Sequence, residues 1–251
     1  MLDPAPEIIE PPVVQPPAVL PIERAAAALE VILCSGFPTQ IVVITLLSAS
    51  GMKVRLASGQ LSPPFVFALT LLDTLLLVGL ILFFMRAHRE SAREQLFGTR
   101  PKGREMLLGL LLIPASFLVI IFVLVVVQMV APSLRNVPHN PLQDLVRNRW
   151  DAVIFAFVVM IAGGVREEIQ RGFVLRRFEG YLGGGSVGLV VFSVVFGLGH
   201  LEQGRDVALA TATLGAFWGL IFLRRRSIVG PMVGHAGFNL AQVIKFLTLG
   251  S

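Results

Sequence analysis

Runs of about twenty apolar residues, separated by short polar stretches, fill most of the chain beyond its first two dozen residues. That is the length at which an α-helix crosses a hydrocarbon core of roughly 30 Å. The pattern predicts an all-α, polytopic membrane protein, a bundle of about seven transmembrane helices. The expected spans are Ala25–Leu47, Pro64–Met85, Met106–Val130, a segment starting at Trp150, Val187–His200, Val207–Leu223 and Ile228–Leu249. Glu30 and the Gly36-Phe37-Pro38 break interrupt the first. Pro114 is a candidate kink in the third, tolerable where neighbouring helices satisfy the backbone. The segment from Trp150 reads as one long helix to about Glu179, with Arg176 and Arg177 at a membrane surface. Gly183-Gly184-Gly185 breaks the chain after it. Asn140-Pro141 reads as a turn. Residues 1–22 are proline-rich, with neither the basic start nor the apolar core of a signal peptide, and read as an extended tail. The expected organisation is this tail, N-terminal transmembrane helices and loops over 23–149, and a C-terminal transmembrane core over 150–251.

Composition sharpens this. Hydrophobic residues are 55% and charged residues 15% of the chain, against roughly a quarter charged in soluble domains. The net charge of +5 is no nucleic-acid footprint, because the basic residues cluster at span ends, where the positive-inside rule puts them. With seven spans, the Arg86–Glu105 loop, Arg176/Arg177 and Arg224–Arg226 all fall on one side, the cytoplasmic one. The amino terminus is then cytoplasmic and the carboxyl terminus outside. The single cysteine, Cys34, excludes an internal disulfide and a cysteine-based metal motif; it reads as a buried hydrophobe. No internal repeat of the transporter kind is visible.

Three polar clusters interrupt the C-terminal apolar segments: Arg166-Glu167-Glu168-Ile169-Gln170-Arg171, Phe196-Gly197-Leu198-Gly199-His200 and His235-Ala236-Gly237-Phe238-Asn239. Ionisable groups at membrane depth are costly and mark function by default. Residues four apart share a helix face, so Glu167 faces with Arg171, Phe196 with His200, and His235 with Asn239. Three such faces converging between the C-terminal helices would form a pocket holding Glu167 or Glu168, His200, His235 and Asn239. A carboxylate can take a proton from water. Imidazoles can orient that water or bind a divalent metal such as zinc, with His200 and His235 as the metal ligands. An amide can donate to a developing oxyanion. The set suits water-activating hydrolysis inside a bilayer.

Other polar residues read as ordinary. Asp73 is an intramembrane acid able to pair with a basic group elsewhere. His88 and His139 lie in loops, His88 as a solvated side chain. Glu202 and Arg205 fit a solvated turn. Phe196 reads as core packing, and Gly215 with Gly219 as a small-residue face for close helix contact.

In this order and spacing, the three clusters resemble the CPBP family of intramembrane proteases. That family includes the CAAX prenyl endopeptidases and bacterial proteins linked to bacteriocin processing and immunity. Its pattern is a double-glutamate motif ending in arginine, then Phe-x-x-x-His, then His-x-x-x-Asn. Gly172, Gly215, Gly219 and the Ser227–Pro231 stretch also fit, and the likeness covers about residues 150–245. One feature departs. The family has three residues between the second glutamate and the arginine; here only Ile169 and Gln170 intervene. Aligned on Arg171-Gly172, Arg166 falls at the family's first glutamate and Glu167 at its second.

The resemblance implies an endopeptidase embedded in a membrane, expected to be the bacterial plasma membrane. Glu167, or in second place Glu168, would activate water with His200. His235 and Asn239 would position a metal or the oxyanion, and Arg171 would hold Glu167. The implied partners are membrane lipid and a peptide or protein substrate near the membrane face. Two alternatives are a non-catalytic binding, immunity or scaffold protein that keeps the pocket, and a small transporter using the cluster as an ion relay.

Overall fold

The computed structural model describes residues 19–138 and 140–249. His139 and the tail up to residue 18 lie outside the described residues. Helix α1 begins at Pro21, inside the stretch expected as tail, where Glu23 reaches back to accept from the Leu20 N–H at 2.8 Å. The helices are α1 (Pro21–Leu33), α2 (Phe37–Ala49), α3 (Pro63–Ala87), α4 (Lys102–Val130), α5 (Arg149–Val159), α6 (Glu167–Tyr181), α7 (Gly185–Leu198), α8 (Arg205–Arg225) and α9 (Val229–Leu249). Among the described residues there is no β-sheet, only an isolated bridge between Arg55 and Leu61.

The protein is a helical membrane protein, and its surface says why. α4 turns Leu107, Leu110, Leu111, Leu118, Phe122 and Met129 outward, each more than half exposed within the protein. In water such a face would be an aggregation surface; in lipid it is the required one, because the helix satisfies its own backbone.

The seven expected spans resolve differently. α3, α4 and α8 are long and apolar enough to cross a membrane, and the α1–α2 pair, bent by 42°, counts as a fourth if it is one span. The first expected span is thus two helices broken at Cys34–Gly36, with Gly36 at φ 92°. The long helix expected from Trp150 is α5 and α6 joined by a π-helical turn, Met160–Arg166. α7 has 14 residues and stops short of His200. α9 is long enough, but His235, Asn239, Gln242 and Lys245 dilute its apolar character. α4 continues through Pro114.

The three basic loops meet at one end of the bundle. Arg225 pairs with Glu105 at 2.5 Å, and Arg226 pairs with Glu179. Arg176 donates to the Gln95 carbonyl (3.1 Å), and the Ile228 N–H donates to the Leu96 carbonyl (2.9 Å). His88 is exposed, as expected, and also has a partner: its Nε2 lies 2.5 Å from Glu30, whose other oxygen takes Arg177 at 2.6 Å. Arg177 also pairs with Glu90 at 2.7 Å. Glu30, which weakened the first span as a sequence feature, is therefore buried against the His88 ring and the Arg177 guanidinium.

α4 and α9 pack backbone to backbone. A Cβ on Gly109 would lie 2.8 Å from the Gly230 carbonyl oxygen and 2.5 Å from Val233. Close approach of this kind replaces the hydrophobic drive that lipid removes between helices. Gly109→Val should therefore force α4 from α9 and lower the melting temperature in detergent, with a cost of about 1–3 kcal/mol; an unchanged melting curve would refute this packing.

Candidate active site

The site is built where α6, the π turn, α8 and α9 converge. α5 cannot run straight into α6, because the π turn Met160–Arg166 holds an extra residue per turn. π turns are rare and recur at functional sites. Here the turn carries Gly163 and Gly164. A side chain on Gly163 would collide with the Asn239 amide and come within 3.2 Å of His235 Nε2, and one on Gly164 would collide with Ala236. The two glycines let the His235–Asn239 face of α9 lie directly on the turn. At the junction with α5, Asn239 Nδ2 donates to the Val159 carbonyl at 3.2 Å.

Glu168 is 1% exposed, and its Oε1 receives both His235 Nδ1 (2.8 Å) and Arg171 Nη1. A carboxylate accepts, so Nδ1 carries the proton and Nε2 of the neutral ring keeps a lone pair. Facing Nε2 is Glu167, its Oε2 3.7 Å away. That gap exceeds a hydrogen bond and leaves both groups open to a water beside them. Glu167 is the more open carboxylate, its side chain 16% exposed against 1% for Glu168.

This corrects one expectation. Arg171 pairs with Glu168 (i,i+3), not with Glu167. Adjacent helical residues diverge by about 100°, and the two carboxylates accordingly reach opposite nitrogens of one imidazole at unequal distance. Arg166, at the position of the family's first glutamate, turns away from this ring. Its Nη2 donates to Asp73 of α3 at 2.6 Å, and its Nη1 lies 4.0 Å from Glu167. Asp73 thus has the basic partner expected for it.

Aromatic rings close the site. Trp218 stacks on His235 with centroids 3.8 Å apart and planes inclined by 22°, and its Nε1 donates to Ser116 of α4 at 3.2 Å. The Arg171 guanidinium sits over Phe192, Phe196 and Trp218, 5.2, 5.2 and 5.5 Å from their centroids. Three ring faces stabilise a cation that has one carboxylate partner. Phe196 packs against the core, as expected, and its ring also contacts both histidines, 4.9 Å from His200 and 6.4 Å from His235. Gly215 leaves the space its ring fills, 2.9 Å from where a Cβ would sit. The sequence reading overlooked Trp218, although its place between Gly215 and Gly219 on α8 was a usable signal.

His200 lies beyond the end of α7, half-buried, with Nδ1 donating to the Phe196 carbonyl at 2.8 Å. That bond fixes the tautomer and leaves Nε2 with its lone pair. Among the described residues, no three His, Cys, Asp or Glu side chains converge as a metal site. His200 and His235, expected as metal ligands, each have a nitrogen committed, Nδ1 of His200 to the Phe196 carbonyl and Nδ1 of His235 to Glu168. The donors do not fit a metal ion in this arrangement. Glu202 is exposed in the turn after His200, as expected of a solvated residue.

With this geometry in view, the relatives are informative. Residues 149–241 match the family model of type II CAAX prenyl endopeptidase Rce1-like proteins. That segment runs from α5 into α9 and holds Glu167, Glu168, Arg171, His200, His235 and Asn239, so the C-terminal core is similar to the CAAX-protease family. Asp73 and Ser116 lie outside it. No curated protein and no solved structure matches the chain.

The two glutamates should separate by stability. Glu168→Gln leaves Arg171 buried without its counter-charge, a loss of about 3–5 kcal/mol that should show as a large drop in melting temperature in detergent. Glu167→Gln should melt close to wild type. Equal melting of the two variants would contradict the division of roles seen in the geometry.

Proposed function

We propose that this protein is an intramembrane endopeptidase that hydrolyses a peptide bond near the membrane face. The observation that carries the proposal is the imidazole of His235 held between two unequal carboxylates. Glu168 is spent on His235 Nδ1 and Arg171 and acts as the orienting group. Glu167, half-buried and 3.7 Å from His235 Nε2, is the base that takes a proton from the attacking water. Asn239 uses one amide hydrogen on the Val159 carbonyl and has a second for the oxyanion. His200, with its tautomer set, is the group that returns a proton to the leaving amine. Arg171 supports Glu168, and no step requires a metal. The bundle end that collects Arg86–Glu105, Arg176/Arg177 and Arg224–Arg226 is the cytoplasmic end by the positive-inside rule, and the membrane is a bacterial plasma membrane. The family description makes a prenylated CAAX peptide the first substrate to try.

A second reading rests on one observation, Arg166 at the position of the family's first glutamate and tied to Asp73. It makes the chain a non-catalytic membrane binding or scaffold protein that retains the pocket.

Purified protein in lipid nanodiscs, offered a farnesylated CAAX peptide and a membrane-peptide library, separates the two. The intact protein should cleave, and Glu167→Gln or His235→Ala should each cut the rate by at least about 100-fold. Asn239→Ala should cost about 100-fold or more in kcat. Absence of cleavage by the intact protein favours the scaffold; cleavage that survives Glu167→Gln refutes the assignment of the base.

A further inference from the structure

We infer that Asp73, acting through Arg166, is a positioning residue for Glu167; the inference rests on Glu167 being the base. The Arg166 guanidinium has two carboxylates in reach, Asp73 at 2.6 Å and Glu167 at 4.0 Å. The Arg166 and Asp73 side chains are 9% and 4% exposed. A charge this buried needs a counter-charge at contact distance. Asp73 supplies it from α3, a helix outside the matched segment, and so occupies the cation that would otherwise close on Glu167.

The surroundings leave that cation little other choice. Gly36 lies beneath it, with a Cβ there only 2.7 Å from Arg166 Nη2. The α1–α2 break is fixed in turn by Gln170, which donates to the Cys34 carbonyl at 2.8 Å. Released from Asp73, the guanidinium has Glu167 as its nearest acceptor. A carboxylate bound directly by arginine is a weaker base and is drawn off His235. The other charges around Glu167 are Glu168 and Arg171 of α6 and His235 of α9, all joined to one another. Asp73 thus holds Arg166 away, and the glutamate keeps an oxygen for water.

The test uses Asp73→Asn and the double variant Asp73→Asn/Arg166→Gln in full-length protein, with a farnesylated CAAX peptide as the probe. Asp73→Asn should lower kcat about tenfold, a part of what a general base supplies, with KM within about twofold of wild type. Removing the guanidinium as well should return kcat to within about threefold of wild type. A purely structural ion pair predicts the opposite order, the double variant no faster than the single. A crystal structure of Asp73→Asn should place Arg166 about 3 Å from Glu167. Wild-type kcat in Asp73→Asn, no recovery in the double variant, or Arg166 still remote from Glu167 overturns the inference. If Asp73→Asn does not fold, the uncharged double variant decides: kcat near wild type supports the inference, and a loss matching Glu167→Gln overturns it. If the intact protein cleaves nothing, the endopeptidase reading fails on its own, and the position of Arg166 in the variant structure still decides this one.

Discussion

One carboxylate oxygen, Oε1 of Glu168, receives both Arg171 and His235 in a place that is almost wholly shielded from solvent. Removing ions from water costs several kcal/mol each after relaxation, and only close contact with good geometry recovers it. The surrounding structure follows from that demand. Phe192, Phe196 and Trp218 give Arg171 ring faces in place of hydrogen-bond acceptors. Gly163 and Gly164 strip the π turn so that α9 can bring His235 within reach. Trp218, stacked on the imidazole, is anchored by Ser116 on another helix.

Charge is nearly balanced across this layer. Asp73, Glu167 and Glu168 stand against Arg166 and Arg171, and His235 supplies the sixth charge when protonated. The layer is also the seam between the matched C-terminal segment and the helices before it. α3 contributes Asp73 and α4 contributes Ser116, while the Cys34–Gly36 break packs beneath Arg166. The basic end repeats the pattern with Glu30, His88, Glu90 and Arg177. Buried charge from one half of the chain is neutralised by the other, so the N-terminal helices are part of what holds the site.

Much of this was legible in the chain. Hydrophobic runs announce a helical membrane protein, because the thickness of hydrocarbon sets a length that composition alone can satisfy. The three polar clusters announce the site residues, since such groups persist at membrane depth only with partners. The shared side of the three basic loops was also readable, and the ion pairs among them bear it out. The number of spans was not readable from run length, because a break such as Cys34–Gly36 and a π turn such as Met160–Arg166 leave hydropathy almost untouched.

The pairings within the candidate site were decided by tertiary contact. Helical spacing assigned Arg171 to Glu167 on a shared face; the folded chain gives it Glu168, because that carboxylate also meets His235 arriving from α9. Spacing left the choice between Glu167 and Glu168 open, and in the fold the His235 ring presents a nitrogen to each, at unequal distance. The sequence by itself determined which side chains must find partners, since apolar surroundings forbid them to remain alone. Which partner each one takes was decided only in three dimensions, because it depends on the angle and depth at which separate helices cross, and local periodicity carries no record of either.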